Sequence, residues 1–95
     1  MAQLEKISDL RGKAIITADG KSVGKLLDLS IDERSWVVSA LIVDVEPSLA
    51  SLFGVKKKLL KSPRVRIASE KVEHIGDVVK LRDDLQHLKV ELHGG

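Results

Sequence analysis

Cysteine is absent from this 95-residue chain, and aromatic residues are almost absent. Without cysteine the chain has no disulfides, no thiolate metal ligands and no thiol nucleophile. Trp36 and Phe53 are the only aromatic residues, so the chain lacks the series of rings on which single-stranded nucleic acids stack. No stretch approaches the ~20 apolar residues of a membrane-spanning helix, and the first ten residues lack the apolar core of a signal peptide. We therefore expect a cytoplasmic protein.

Catalytic and metal-binding patterns are missing as well. None of the three histidines has a partner at metal-ligand spacing, so each is read as a surface residue. Carboxylates on the polar face of a strand are commoner than acid–base pairs, and that face carries Asp28, Asp32 and Asp44. No serine lies in a nucleophile elbow. The sequence predicts a protein that is not an enzyme and binds no cofactor or metal.

The stretch from residue 19 to residue 45 predicts a long β-hairpin. Asp19-Gly20 is a turn signal, because glycine supplies the positive φ that a tight turn needs. Side chains alternate between the two faces of a strand. The predicted buried face of the first strand carries Val23, Lys25, Leu27, Leu29 and Ile31. The other face is mostly small or polar, so the first strand has one buried and one hydrated face.

The second strand of the hairpin, from Trp36 to Val45, is apolar at both parities. Such a strand is central in its sheet or is covered on its outer side. The cover is either a helix or loop of the same chain, or another subunit. Trp36 at the strand start is either a plug for one end of a barrel or a binding anchor.

Residues 46–55 predict a short helix of at most two turns. Pro47 suits a first helical turn, and Leu49, Leu52 and Phe53 follow at helical spacing before Gly54. This segment is either a lid on one barrel end or an exposed knob that binds a partner or touches lipid.

The one charge anomaly follows, between Val55 and Ile67, where no acidic residue occurs. The basic residues there are Lys56, Lys57, Lys58, Lys61, Arg64 and Arg66. A run of this kind is usually a solvated face or the protected edge of a sheet. The alternative is a surface for an acidic protein, RNA or anionic headgroups.

The remaining segments are shorter. We expect a one-turn or extended lead-in that ends at Gly12, a strand over 13–17, a turn or helix over 68–75 with Ser69 as N-cap, and a closing strand over 77–81. Residues 84–92 fit both a helical stripe and a strand alternation, and the two aspartates that precede them favour a helix. We expect a single domain over 1–95, with a core over about 7–82 and a tail over 83–95.

Several of these segments resemble the PRC-barrel family. The resemblance lies in Ile7 to Lys13, which reads I-S-D-L-R-G-K, in the turn D-G-K-S-V-G from Asp19 to Gly24, and in the run L-S-I-D from Leu29 to Asp32. The Val-rich return strand and the stretch I-G-D-V-V from Ile75 to Val79 agree in order with the same pattern. The turn Asp32 to Ser35 lacks a glycine often found there, and the basic segment 56–61 matches no common pattern.

This resemblance implies a mainly all-β fold, a small and strongly bent antiparallel β-barrel with short helical segments. It also implies a non-enzymatic adaptor that binds proteins, itself included as a homodimer or larger oligomer. The stand-alone archaeal type is the most similar, and it implies a role in cell division beside SepF-type anchors of the FtsZ-type ring at the membrane. A RimM-like module that binds RNA in ribosome assembly is the alternative. The candidate partner-binding residues are Trp36, Leu49, Leu52, Phe53, Lys56, Lys57, Lys58, Arg64 and Arg66.

Overall fold

The fold is organised around one long antiparallel hairpin. The protein is described here by a computed structural model, which covers residues 6–49, 52–53 and 64–92. In chain order the elements are helix α1 (Ile7–Leu10) and strands β1 (Ala14–Ile16), β2 (Ser22–Asp32), β3 (Val37–Val45), β4 (Arg64–Ala68), β5 (Val72–Ile75), β6 (Val79–Leu81) and β7 (Glu91–Leu92). Two 3-10 turns, Pro47–Leu49 and Ser69–Lys71, stand before β4 and β5.

The seven strands form a single sheet in the order β5-β6-β1-β2-β3-β4-β7. All neighbours are antiparallel except β1 and β6, which run parallel. Among the described residues the end strands β5 and β7 do not pair, so the sheet curls without closing. The predicted mainly β fold is confirmed, and β3 is central, as its apolar character on both faces predicted.

The core lies on the concave side of this sheet. Its register places Leu26, Val43 and Val65 side by side on β2, β3 and β4, and all three are buried. The other buried apolar residues that pack with them are Leu10, Ile15, Val23, Leu41, Val45, Ile67, Val79, Leu81 and Leu88. Each such side chain contributes roughly 1.5–3 kcal/mol by leaving water. Aliphatic packing therefore holds the curled sheet together.

Bulges overturn the simple alternation predicted for β2. Val23 and Leu26 are both buried although their parity differs, whereas Ile31 is exposed. The register against β3 shifts between Leu26 and Asp28, so that Leu27 is an extra residue in the ladder. An extra residue reverses the face of every later side chain and increases the local bend. Val23 is likewise an extra residue in the ladder with β1, which accounts for the burial of both Val23 and Leu26. The predicted buried face of β2 is therefore wrong at Lys25 and Ile31, which are exposed, and right at Val23 and at Leu29, which packs against the core.

Gly24 lies where β2 passes closest to β3. A β-carbon at Gly24 would lie 2.0 Å from the carbonyl oxygen of Asp44. No residue with a side chain fits that approach. The glycine therefore fixes how tightly the hairpin is bent at its base, where Gly24 pairs with Val45.

The β1–β2 turn is closed as the Asp19-Gly20 signal predicted. Gly20 has φ +81, and its N–H donates to the Thr17 carbonyl at 2.9 Å. Thr17 is fully buried, and its hydroxyl donates to the Asp19 carboxylate while accepting from the Lys21 N–H. The Thr17 hydroxyl holds the pKa of Asp19 below its ordinary value. The turn is thus hydrogen-bonded through a side chain as well as the backbone.

Two segments near the C-terminus differ from expectation. The predicted turn or helix over 68–75 is a single 3-10 turn followed by strand β5, and Ser69 does not cap it through its side chain. Residues 84–92 form no helix: a turn closed by the His87 N–H on the Asp84 carbonyl leads to β7. β7 pairs with β4 along the side opposite β3. Ladder hydrogen bonds outweigh the weak local helical preference there, so the strand alternative is the right one.

The single-turn helix α1, the end of the lead-in at Gly12 with its positive φ, and strand β1 agree with the prediction. Within the described ranges, no helix is long and apolar enough to cross a membrane. Residues 93–95, predicted to be a frayed end, lie outside the described part of the chain.

Gly24→Ala should destabilise the fold by about 3 kcal/mol or more, because the methyl group overlaps a backbone oxygen that only moves with β3. Gly20→Ala is the matched control, because nothing lies near its added β-carbon and only the cost of a positive φ, about 1–2 kcal/mol, remains. Urea denaturation of both variants measures the difference. Equal losses of unfolding free energy would contradict the close approach at Gly24.

Thr17→Val should raise the pKa of Asp19 toward its ordinary value, as measured by NMR titration of its side-chain carboxyl. Because the folded pKa of Asp19 is lowered, its contribution to stability is present above its unfolded pKa and is lost as pH falls through the folded value. The difference in free energy of unfolding between Thr17→Val and the unchanged protein should therefore become smaller as the pH falls. A gap independent of pH would contradict this role of the hydroxyl.

Candidate functional site

The far end of the β2–β3 hairpin carries a group of exposed apolar side chains. Ile31, Trp36 and Val37 are 42%, 81% and 59% exposed, and we call these three residues the hairpin tip. Ile31 lies one register step from Val37, which pairs with Asp32. The large apolar residues of the tip thus face water on neighbouring positions of two strands. Exposed apolar groups of this kind are typical of surfaces that bind other proteins.

The turn that carries Trp36 is held by Asp32. The Asp32 carbonyl accepts from the Trp36 N–H at 2.8 Å, and its carboxylate accepts from the Arg34 N–H at 2.8 Å. Trp36 itself has φ +58, the left-handed conformation in which bulky residues are rare. It directly follows the turn from Asp32 to Ser35, which lacks the glycine often found there. The conformation costs on the order of 1 kcal/mol, and no burial of the indole offsets it.

The structure separates the two interpretations of Trp36. A plug for one end of the barrel would be buried, and Trp36 is the most exposed of the large apolar residues described. The plug is therefore wrong. Ile31 was predicted to lie on the buried face of β2 and not beside Trp36. It shares the face of Leu29, which packs against the core, but it lies farther along the hairpin and is exposed.

Residues 49–53, predicted to be either a lid or an exposed knob, include side chains that fit each of these two roles. Leu49 ends the 3-10 turn, and its carbonyl accepts from the Phe53 N–H at 3.3 Å. Leu49 and Phe53 are half-buried and pack against the core, as a lid would. Leu52 is 57% exposed. Leu52 is therefore the one side chain of the three that is free to meet a partner.

The basic segment is described in part. Lys56, Lys57 and Lys58 lie outside the described residues. Arg64 and Arg66 alternate along β4 with buried Val65 and Ile67, so both guanidinium groups stand on the convex face of the sheet. Arg64 and Arg66 therefore lie on the side of the sheet that faces away from the apolar core.

A groove on that convex face gathers arginines from two distant parts of the sequence. It has a volume of about 470 Å³ and is lined by Arg11, Leu27, Asp28, Leu29, Ser30, Ile42, Arg64 and Arg66. Arg11 follows α1, and its guanidinium lies 3.7 Å from the Asp28 carboxylate. The sequence analysis missed Arg11, because only the register of the folded sheet places it near β2. We call this feature the arginine groove.

The arrangement of the other titratable groups does not form a cofactor or metal site. In the part of the chain that the structure describes, no three histidine, cysteine, aspartate or glutamate side chains converge on a common point. His87 pairs with the Asp84 carboxylate at 2.6 Å on the surface, and this hydrogen bond lowers the pKa of Asp84. Asp28 belongs to the arginine groove, whereas Asp32 holds the hairpin turn. The hairpin tip can bind a partner by apolar contact, and the arginine groove can bind one through its cationic groups.

Trp36→Asn should keep or raise the free energy of unfolding, because asparagine tolerates the left-handed conformation and little buried area is lost. Trp36→Val should lower it by about 1 kcal/mol, because a β-branched residue fits that conformation poorly. Thermal and urea unfolding compare the two variants. If the valine variant were as stable as the asparagine variant, the backbone at residue 36 would not be left-handed.

Comparison with known proteins agrees with the fold. The sequence pattern of the PRC-barrel domain matches residues 3–84. No curated protein matches the chain. The PRC-barrel is a non-catalytic binding domain family. Since the match covers most of the chain, from before α1 to beyond β6, the protein belongs to the PRC-barrel domain family.

Proposed function

We propose that this protein is a non-enzymatic adaptor that binds protein partners through its hairpin tip. The observation that carries the proposal is Trp36, held in a left-handed conformation at 81% exposure. Neither feature favours folding of the single chain. Strained residues that persist in a fold occur often at functional sites.

The energetics of an exposed tryptophan support a binding role. An aromatic side chain buries about 150–250 Å² when a partner covers it, and tryptophan is enriched among residues whose truncation costs ~2 kcal/mol or more. Ile31 and Val37 are further exposed apolar side chains on the two strands beside Trp36. The two hydrogen bonds that Asp32 accepts fix the turn, so little conformational entropy is lost when a partner binds.

The finer part of the proposal names the partners. The first is a second copy of this chain, which would give a homodimer or larger oligomer. The second is a SepF-type protein of the archaeal division machinery, which would recruit the adaptor from the cytoplasm to the division site at the membrane. Membership of the PRC-barrel family supports a protein-interaction module, and resemblance to its stand-alone archaeal type motivates the choice of partner.

An RNA-binding module is the second candidate function. Arg64 and Arg66 stand side by side on one exposed face, and four lysines of the same basic segment precede them in the sequence. Binding of this type depends on phosphate contacts and falls steeply with salt. The scarcity of aromatic residues weighs against it, because single strands are held largely by stacking. A lack of any RNA complex at low salt would remove this candidate.

Trp36→Asn should weaken self-association, and binding to a purified SepF-type protein, by at least tenfold, while the folded structure stays intact. The expected loss follows from the ~2 kcal/mol attributed to interface tryptophans, since 1.4 kcal/mol is a factor of ten. Analytical ultracentrifugation measures self-association, and titration calorimetry measures binding to the SepF-type protein.

Ile7→Ala is the matched control for this experiment. Ile7 is also an exposed large apolar residue, at 44%, but it lies on α1 and not in the hairpin tip. Its truncation should leave both equilibria unchanged. If the Trp36 and Ile7 variants behaved alike, the hairpin tip would not be the binding surface.

A further inference from the structure

We propose that the arginine groove binds an acidic, extended segment of a protein partner, with side-chain carboxylates on Arg11, Arg64 and Arg66 and aliphatic side chains on the groove floor. This goes beyond the adaptor function assigned to the hairpin tip, because none of the tip residues lines the groove. It gives the protein a second binding surface of a different chemistry.

The register of the sheet builds the groove. Across the convex face, Asp28, Ile42 and Arg66 form one row on β2, β3 and β4, and the next row consists of Ser30, Ala40 and Ala68. The second row is made of small side chains, which leaves a depression in the surface beside Arg66. A further depression of about 330 Å³ opens over that row.

Arg66 lies between the two depressions and lines both. The second depression brings in Lys71 and Lys89 beside Glu91. The two hollows together form a track across β2, β3 and β4 toward β7. Such a track suits an extended chain better than a compact small molecule, because its cationic groups are spread along it.

The groove carries an excess of positive charge. Three guanidinium groups stand against the single carboxylate of Asp28, which leaves a net charge of +2 among the lining residues. The Arg11–Asp28 pair, at 3.7 Å, is more than half exposed on both sides. Exposed pairs of this kind contribute ~0–1 kcal/mol, so an incoming carboxylate readily replaces Asp28 on Arg11.

The chemistry of the lining suits carboxylates that alternate with apolar side chains. Guanidinium groups bind carboxylates with two parallel hydrogen bonds, which gives orientation as well as energy. Leu27, Leu29 and Ile42 supply an aliphatic floor, which favours a peptide with apolar residues between its acids. Neither of the two aromatic residues of the chain lines the groove, so nucleobases find no ring on which to stack.

The test uses the full chain labelled with ¹⁵N and three probes of equal length: an alternating Glu-Leu peptide, the corresponding Gln-Leu peptide and a single-stranded RNA. The Glu-Leu peptide should shift the Nε–H signals of Arg11, Arg64 and Arg66 in NMR spectra. The Gln-Leu peptide should leave them in place. Binding of the Glu-Leu peptide should weaken as salt is added, because salt screens the attraction between its carboxylates and the exposed arginines.

Arg66→Ala should weaken binding of the Glu-Leu peptide at least tenfold, because Arg66 lines both depressions. Arg66→Lys keeps the positive charge but loses the planar guanidinium that forms two parallel hydrogen bonds. It should therefore bind the Glu-Leu peptide more tightly than Arg66→Ala but more weakly than the unchanged protein. Arg34→Ala is the matched control, since Arg34 is an exposed arginine of the hairpin turn outside the groove, and it should bind as the unchanged protein does.

Three results would overturn the proposal: no shift of the groove arginines at saturating peptide, equal losses for Arg66→Ala and Arg34→Ala, or RNA binding through Arg66 where the acidic peptide does not bind. The peptide assay does not involve Trp36 or a second copy of the chain. Its failure is therefore distinguishable from failure of the hairpin-tip proposal.

Discussion

The pairing of β2 with β3 is the constraint on which the rest of the structure depends. Gly24 allows the two strands to approach so closely at the hairpin base that a single methyl group would collide with the Asp44 carbonyl. The extra residue Leu27 then shifts the register by one. Together with the extra residue Val23 in the ladder with β1, these features bend the hairpin and place Val23, Leu26 and Leu29 against the core.

Both candidate surfaces follow from that bend. Beyond the bulge, the hairpin extends past the aliphatic core, and Ile31 and Trp36 face water there. On the convex side, the same register aligns Asp28 and Ile42 with Arg66 and brings Arg11 close to Asp28. One irregular ladder therefore gives an apolar surface at the tip and a cationic groove on the sheet. A binding domain of the PRC-barrel family needs surfaces of this sort, and two different ones would let it join two partners.

Much of the fold could be predicted from the sequence, because local signals and burial agree there. The Asp19-Gly20 turn, the two long strands and the lead-in that ends at Gly12 each have a residue whose backbone preference matches its place. The side-chain faces of β2 could not be predicted, because nothing in the residue types marks Leu27 as an extra residue. For residues 84–92 the helix was favoured over the strand alternative, because the partner of Glu91–Leu92 on β4 is distant in sequence. Arg11 was missed for the same reason.

The central claim is that Trp36 is hydrated in the single chain and becomes covered in the assembled state. Trp36 is the only tryptophan, so its fluorescence reports on the hairpin tip without labelling. The account predicts a fully hydrated emission spectrum, strongly quenched by iodide, in dilute protein. It further predicts a blue shift with loss of quenching when the chain self-associates or binds its partner. A blue-shifted, unquenched indole in the dilute single chain would contradict the account, as would an indole that stays fully hydrated in every complex formed.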